Sequence, residues 1–321
     1  MKSDLTVFTS HPHSLPAVIE TSGEKTVLRF IDFFTSNIRN PNTRKAYAKN
    51  VAAFMAWCEV RGVSEVSQIQ PLHVAGFIEK LAQSKSAPTA KQHLAAIRML
   101  FDWLILGQVV SQNPAHAVRG PKHVVKRGKT PVLSADEARQ LLDAIDITKP
   151  VGLRDRALIG LMVYSFARIG AALAMKVEDV FVQRNRLWVR LHEKGGKRHE
   201  MPCHHNLEDY LRDYIAGANL SDDPKGPLFR TIGRKDKKLS RSALPQSNAH
   251  SMIRRKARLA SIETKIGNHT FRATGITAYL TNGGMLEKAA TMANHASIKT
   301  TQLYDRRSDD VTLDEIERIL I

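Results

Sequence analysis

Two cysteines in 321 residues, Cys58 and Cys203, are too few and too far apart for a disulfide framework or a cysteine-built zinc site. That scarcity fits a reducing compartment, so the expected location is the cytoplasm. No run approaches the roughly 20 apolar residues of a membrane span. The opening stretch MKSDLTVFTSHPHSLP lacks the apolar core of a signal peptide. A G-x-x-x-x-G-K-[ST] phosphate loop is missing, because GEKT at 23–26 has no upstream glycine. No dinucleotide fingerprint follows a strand pattern, and no H-E-x-x-H or other metal-ligand spacing occurs. His204 and His205 are adjacent and read as neighbouring surface histidines pointing different ways. No internal repeat and no low-complexity tract interrupts the chain. These absences argue for chemistry that needs no cofactor and no metal.

What the chain has in excess is positive charge. Lys plus Arg number 48 against 31 Asp plus Glu, a formal charge of +17. Such a balance points to a polyanionic partner, nucleic acid first. The excess runs through both halves, so both are expected to face the same polyanion. Hydrophobic residues make up 43% of the chain, enough to bury real cores, and the length suits two domains.

Residues 1–22 are polar and rich in Pro and His, and read as a flexible arm. Helical spacing follows. EKTVLRFIDFF places Val27, Phe30, Ile31 and Phe34 on one stripe. NPNTRKAYAKNVAAFMAWCEVRG starts at Pro41, carries Tyr47, Val51, Phe54, Met55 and Cys58 on one face, and stops at Gly62. PLHVAGFIEKLAQS and PTAKQHLAAIRMLFDWLILG complete four main helices over 23–117, with no strand signal before about residue 130. Their exposed faces are expected to offer Arg44, Lys45, Lys49, Lys91 and Arg98 to DNA. VRGPKHVVKRGKTP at 118–131 has five basic residues and no acid. It reads as an inter-domain linker whose Lys122, Lys126, Arg127 and Lys129 track a phosphate backbone.

The second part spans 132–306. Ser134 and Glu137 form a capping box at the start of LSADEARQLLDAI. GLRDRALIGLMVYSFA reads as a buried helix. RLWVRLHEKGGKRHEMPC alternates about Gly195-Gly196, a β-hairpin signal. Helices are expected at about 204–216 and 246–260, and NHTFRATGITAYLTNGG from a cap at Asn268 to Gly283-Gly284. Two shorter helices follow. The tail at 307–321 places Leu313, Ile316, Ile319 and Leu320 on one face, suited to docking on a second protomer or on its own domain. The expected fold is mainly α, with one small antiparallel sheet in the second part.

Six residues stand out chemically. Arg168 closes an apolar helix in SFARIGAAL. Lys194 sits at the hairpin mouth. His269 and Arg272 share a helix face. His295 precedes Tyr304 by nine positions. Arg168 alone reads equally well as a snorkelling arginine at a helix end, and each of the others alone reads more readily as an ordinary surface group or cap. Together they suit a phosphodiester. Arginine forks bind phosphate oxygens and stabilise charge on a phosphorane. Histidine donates or moves a proton, and lysine protonates a leaving alkoxide. Tyrosine forms a covalent ester whose phenolate is a good leaving group, so the linkage can be resealed without ATP.

In order and spacing, Arg168, Lys194, HTFR at 269–272 and ANHASIKTTQLY at 293–304 resemble the tyrosine recombinases, the phage-integrase and Xer-like site-specific enzymes. The resemblance covers nearly the whole chain. It implies an N-terminal four-helix, SAM-like core-binding domain and an α+β catalytic domain. It makes Arg168 and Arg272 the arginine clamp and His269 and His295 the phosphate-facing histidines. Lys194 becomes the general acid, with Lys197 as runner-up, and Tyr304 the nucleophile attaching to a DNA 3′-phosphate. It further implies duplex DNA at a specific recombination site, a tetramer on two sites, and a Holliday-junction intermediate; an accessory DNA-bending protein is left open. A supercoil-relaxing topoisomerase with a 3′-phosphotyrosine, and a non-catalytic DNA-binding regulator on the same fold, remain as alternatives. Three positions depart from the family pattern. Ala171 stands where an acid supports the site, Ala273 where a second histidine is frequent, and Asn294 where glycine is usual.

Overall fold

The computed structural model describes residues 15–125, 128–193, 196–233, 238–305 and 316–317. They form two compact units, Met1–Val124 and Val125–Ile321, whose boundary lies within the stretch read as a linker.

The first unit is helical throughout its described residues. Helix α1 is Ala17–Thr21 and α2 is Glu24–Asp32, prolonged by a π-helical turn over Phe33–Asn37. Helix α3 spans Pro41–Glu59, α4 Pro71–Ser84 and α5 Ala87–Leu106. Asn40 caps α3 by accepting from the backbone N–H groups of Asn42 and Thr43, with Pro41 pre-set for the first turn. Of the predicted stripe, Val51, Phe54, Met55 and Cys58 are wholly buried, and Tyr47 is half-buried. Burial also pushes the Cys58 thiol up to about 12, so it behaves as an inert apolar group.

Three expectations are corrected in this unit. The arm foreseen over 1–22 gives way to structure by residue 15. Val18 and Ile19 of α1 are fully buried in the core with Phe33 and Phe54. Two apolar residues in a polar stretch were enough to dock a single helical turn. Arg98 is also not an open contact: Nε donates to the Ala115 carbonyl at 3.0 Å and Nη2 to that of Val118. Arg44 likewise donates from Nε and Nη2 to the Ile38 carbonyl, at 3.1 and 2.9 Å. Lys45, Lys49, Lys91, Lys122 and Lys129 are exposed. Lys126 and Arg127 lie outside the described residues.

In the second unit, α6 is Ala135–Asp143, capped as predicted by the reciprocal Ser134–Glu137 bonds at 2.9 and 3.1 Å. Helix α7 spans Pro150–Tyr164 and α8 Ile169–Leu173. Strands β1 (Val180–Gln183), β2 (Arg186–His192) and β3 (Arg198–Pro202) form one antiparallel sheet in that order. On β2, Leu187, Val189 and Leu191 point into the core and alternate with partly exposed residues, the period-2 pattern of a half-buried strand. Helix α9 is His205–Gly217. Strands β4 (Arg230–Ile232) and β5 (Leu239–Ala243) form a second antiparallel pair. Helices α10 (Gln246–Leu259), α11 (Asn268–Thr281), α12 (Leu286–Met292) and α13 (Ile298–Gln302) complete the unit.

The sequence predicted one sheet, and the described residues form two. LSRSA on β5 carries no apolar alternation, so nothing in its pattern marks a strand. Helix α11 starts one residue earlier than foreseen, with Gly267 as the cap and Asn268 already helical. His204 and His205 do not diverge: their rings meet at 4.0 Å, and His204 stacks on Tyr164 while capping α9. The buried helices α7 and α11 cross closely at Gly275, where an added Cβ would strike the Val163 carbonyl. That close crossing fixes the helix carrying His269 and Arg272 against the one that leads to Arg168. Apart from Ile316 and Glu317, the tail at 307–321 lies outside the described residues. No helix among them is long and apolar enough to cross a membrane.

Candidate active site

The site is built from ends of elements. Helix α7 stops at Tyr164, and Phe166 takes φ +53, a left-handed conformation that costs an aromatic residue strain. That turn aims the Phe166 carbonyl at Arg272, whose Nη1 donates to it. Arg272 Nη2 donates to the Ala293 carbonyl at 2.5 Å. The Arg272 side chain is 2% exposed. Two backbone acceptors therefore fix its guanidinium inside the protein. Desolvation, and then the charge of Arg168, lower its pKa to about 10, with Tyr304 and Glu193 partly offsetting the drop. It remains protonated at neutral pH.

Arg168 caps the short helix α8 and is more open, with its side chain 38% exposed. Its Nη1 donates to the Glu193 carboxylate at 2.6 Å. Sequence reasoning missed Glu193. The only available signal was an acid at the end of a strand otherwise facing the core.

His295 is delivered by the end of α12. The His295 N–H donates to the Ala290 carbonyl and the Asn294 N–H to that of Thr291, both at 2.9 Å. These are the two bonds of a Schellman ending. Asn294 occupies its left-handed position at φ +46. Asparagine tolerates that region better than other non-glycine residues, which accounts for its standing where glycine is usual. His295 Nδ1 lies 2.8 Å from the Thr301 hydroxyl, and Thr301 is fully buried. Burial first, then Arg272 and Arg168, push the His295 pKa down to about 4. The same three causes, in the same order, lower that of His269, which is the more exposed of the two. Both imidazoles are thus neutral in the free protein at neutral pH.

Tyr304 sits just beyond α13, half-buried, with its ring nearly parallel to that of His295. Its turn is held from two sides. Thr277 of α11 donates its hydroxyl to the Tyr304 carbonyl at 2.8 Å, and the Gly128 N–H donates to the Leu303 carbonyl at 2.9 Å. A Cβ at residue 128 would overlap that carbonyl, so glycine is required by close approach. Arg168, His269, Arg272, His295 and Tyr304, foreseen from sequence, therefore gather around one point from four separate segments. Lys194 lies outside the described residues. Lys197 is exposed on the hairpin, where its carbonyl accepts from the Glu193 N–H at 2.8 Å. Ala171 and Ala273 are buried and carry no polar side-chain atom.

A helical unit, a second helical unit with small antiparallel sheets, and an Arg-His-Arg-His-Tyr cluster are together the build of a tyrosine recombinase. The chain belongs to the phage integrase family: the family model matches residues 131–310, more than half of its length. The N-terminal SAM-like domain of phage integrases matches residues 29–108. The tyrosine recombinase XerD of Ralstonia nicotianae is 28% identical over 297 residues, covering 91% of this chain and 92% of that protein. Among solved structures, the XerH site-specific recombinase bound to palindromic difH substrate, in a post-cleavage complex, is similar with a TM-score of 0.69. It is 17% identical and covers 95% of this chain and 96% of that one. A lambda integrase tetramer bound to a Holliday junction is similar with a TM-score of 0.66 at 16% identity, covering 97% and 87%. At those identities the likeness is one of fold.

Proposed function

We propose that this recombinase cuts and rejoins duplex DNA at a specific site through a covalent link between Tyr304 and a 3′-phosphate. The observation that carries this reading is the convergence of two guanidinium groups, two neutral imidazoles and a phenol around one point. Arg168 and Arg272 bind the non-bridging oxygens of the scissile phosphate and stabilise the charge that builds as phosphorus becomes five-coordinate. Neutral His269 accepts the phenolic proton, and His295 faces a phosphate oxygen. The Tyr304 oxygen attacks phosphorus, the P–O5′ bond breaks, and Lys194 supplies the proton taken up by the departing 5′-oxygen. A 5′-hydroxyl from a second strand then reverses the step and releases tyrosine. The bond energy is kept throughout, so no ATP enters. Four protomers on two sites, exchanging strands in two rounds through a Holliday junction, complete the reading. The exposed Lys45, Lys49, Lys91, Lys122 and Lys129 would supply backbone affinity.

The test is a nicked suicide duplex carrying a site selected from random duplexes by retention on the protein. The expected product is a protein–DNA adduct that survives denaturation, forms without divalent metal, and is lost in Tyr304→Phe. An adduct persisting in that variant, or cleavage only with magnesium, overturns the assignment. Relaxation of supercoils without strand exchange between two sites would instead identify a topoisomerase.

A further inference from the structure

Arg168 has no acid three residues on, because Ala171 is buried and has no polar side-chain atom. The acid it does meet comes from elsewhere in the chain. Glu193 Oε2 accepts from Arg168 Nη1 at 2.6 Å, across 25 positions of sequence. The two partners are unequally fixed: the Glu193 side chain is 4% exposed and that of Arg168 38%. The carboxylate is the anchored member, and the guanidinium reaches from it towards solvent.

The anchoring is backbone-deep. Glu193 follows directly on β2, whose Leu191 and His192 pair with His199 and Arg198 of β3. The Glu193 N–H closes the next rung to the Lys197 carbonyl at 2.8 Å. Leu191, two residues back, is buried in the core. A carboxylate placed in this way can set the direction of a longer, freer side chain. It also bears on Arg272, whose protonated form it favours.

We propose that Glu193 is the positioning residue for Arg168. It holds one edge of the guanidinium so that the remaining N–H groups face the scissile phosphate, the task an acid at position 171 would perform. The proposal rests on the covalent reading above. It also makes the base of the β2–β3 hairpin, which carries Lys194 and Lys197, part of the arginine clamp. A carboxylate close to a phosphate site repels the substrate on its own. Its benefit here lies in orientation, so its loss is expected in the rate of cleavage and not in affinity.

The experiment measures single-turnover adduct formation on the suicide duplex, with duplex affinity and thermal midpoint measured in parallel. Glu193→Gln keeps the shape and removes the charge. It is expected to slow cleavage about 10- to 100-fold, the usual cost of losing a group that orients a binding residue. Affinity does not fall, and the thermal midpoint stays at its wild-type value. In an Arg168→Lys background the same substitution is expected to have no further effect, because the fork it orients is gone. Glu193→Asp keeps the charge one methylene short and is expected to stay within about fivefold of the wild-type rate. A wild-type rate in Glu193→Gln overturns the proposal. So does an equal loss in the Arg168→Lys background, or a thermal midpoint that falls with the rate, which would make the pair a structural salt bridge only. Glu193→Asp as slow as Glu193→Gln overturns it too. Absence of an adduct with the wild-type protein overturns the covalent reading itself, whereas a wild-type adduct with Glu193→Gln unchanged sinks the proposal alone.

Discussion

The imidazole of His295 and the phenol ring of Tyr304 lie 11° from parallel with centroids 5.8 Å apart. Between them the chain makes the short helix α13 and returns, so two residues nine positions apart face one another across the cluster. His295 bonds through Nδ1 to Thr301, whose carbonyl in turn accepts the Tyr304 N–H at 2.9 Å. The same buried threonine therefore braces both residues, and the electrical state of His295 bears directly on its neighbour.

That state gives the first prediction. With its pKa lowered to about 4 by burial and by the two arginines, His295 is neutral in the free protein until the pH falls to about 4. The sign follows from linkage: the unfolded chain binds the proton near pH 6.5 and the folded one only near 4. The neutral site's contribution to stability is complete above pH 6.5 and is lost as pH falls towards 4. An NMR titration of the free protein should place the His295 midpoint near 4. Arg168→Ala should raise it without restoring 6.5, because burial is the larger cause. A midpoint at 6.5 in the wild-type protein would contradict this.

A second prediction concerns the turn that delivers His295. Asn294→Gly should be neutral or slightly stabilising, since glycine adopts φ +46 without strain. Asn294→Val should cost about 1–2 kcal/mol, the penalty of a Cβ in the left-handed region. It should also slow adduct formation more than it weakens DNA binding, because His295 moves with the turn. Denaturant melts alongside suicide-substrate rates check both, and equal behaviour of the two variants would refute the account.

Arg272 supplies the third. Its guanidinium satisfies the Phe166 and Ala293 carbonyls from inside the protein. Arg272→Ala strands both acceptors, and each buried unsatisfied group costs about 1–3 kcal/mol. The variant should therefore lose stability as well as cleavage. Tyr304→Phe should keep its melting midpoint while losing the adduct. If Arg272→Ala melts like the wild-type protein, the two carbonyl bonds carry no net stability.

Much of this was legible in the residues, for identifiable reasons. The stripe of Val51, Phe54, Met55 and Cys58 is written at helical spacing, and the Ser134–Glu137 box is a local signal three residues long. Leu187, Val189 and Leu191 alternate as a half-buried strand must. What escaped has no local signature. Glu193 meets Arg168 only because the sheet and α8 pack together, and a lone acid beside a lysine reads as a solvated pair. Arg98 looked available because helical spacing gives its face but not the carbonyls of Ala115 and Val118 that come round to it. Val18 and Ile19 are two apolar residues, too few for any period to register.

The bond from Gly128 to Leu303 joins nearly the two ends of the second unit's described chain. A contact between such distant positions closes a very long loop and forms only after the intervening helices and sheets have docked. During synthesis the turn that carries Tyr304 is therefore braced last, after the rest of the second unit has docked. A chain released before Leu303 would lack both that closing bond and Tyr304.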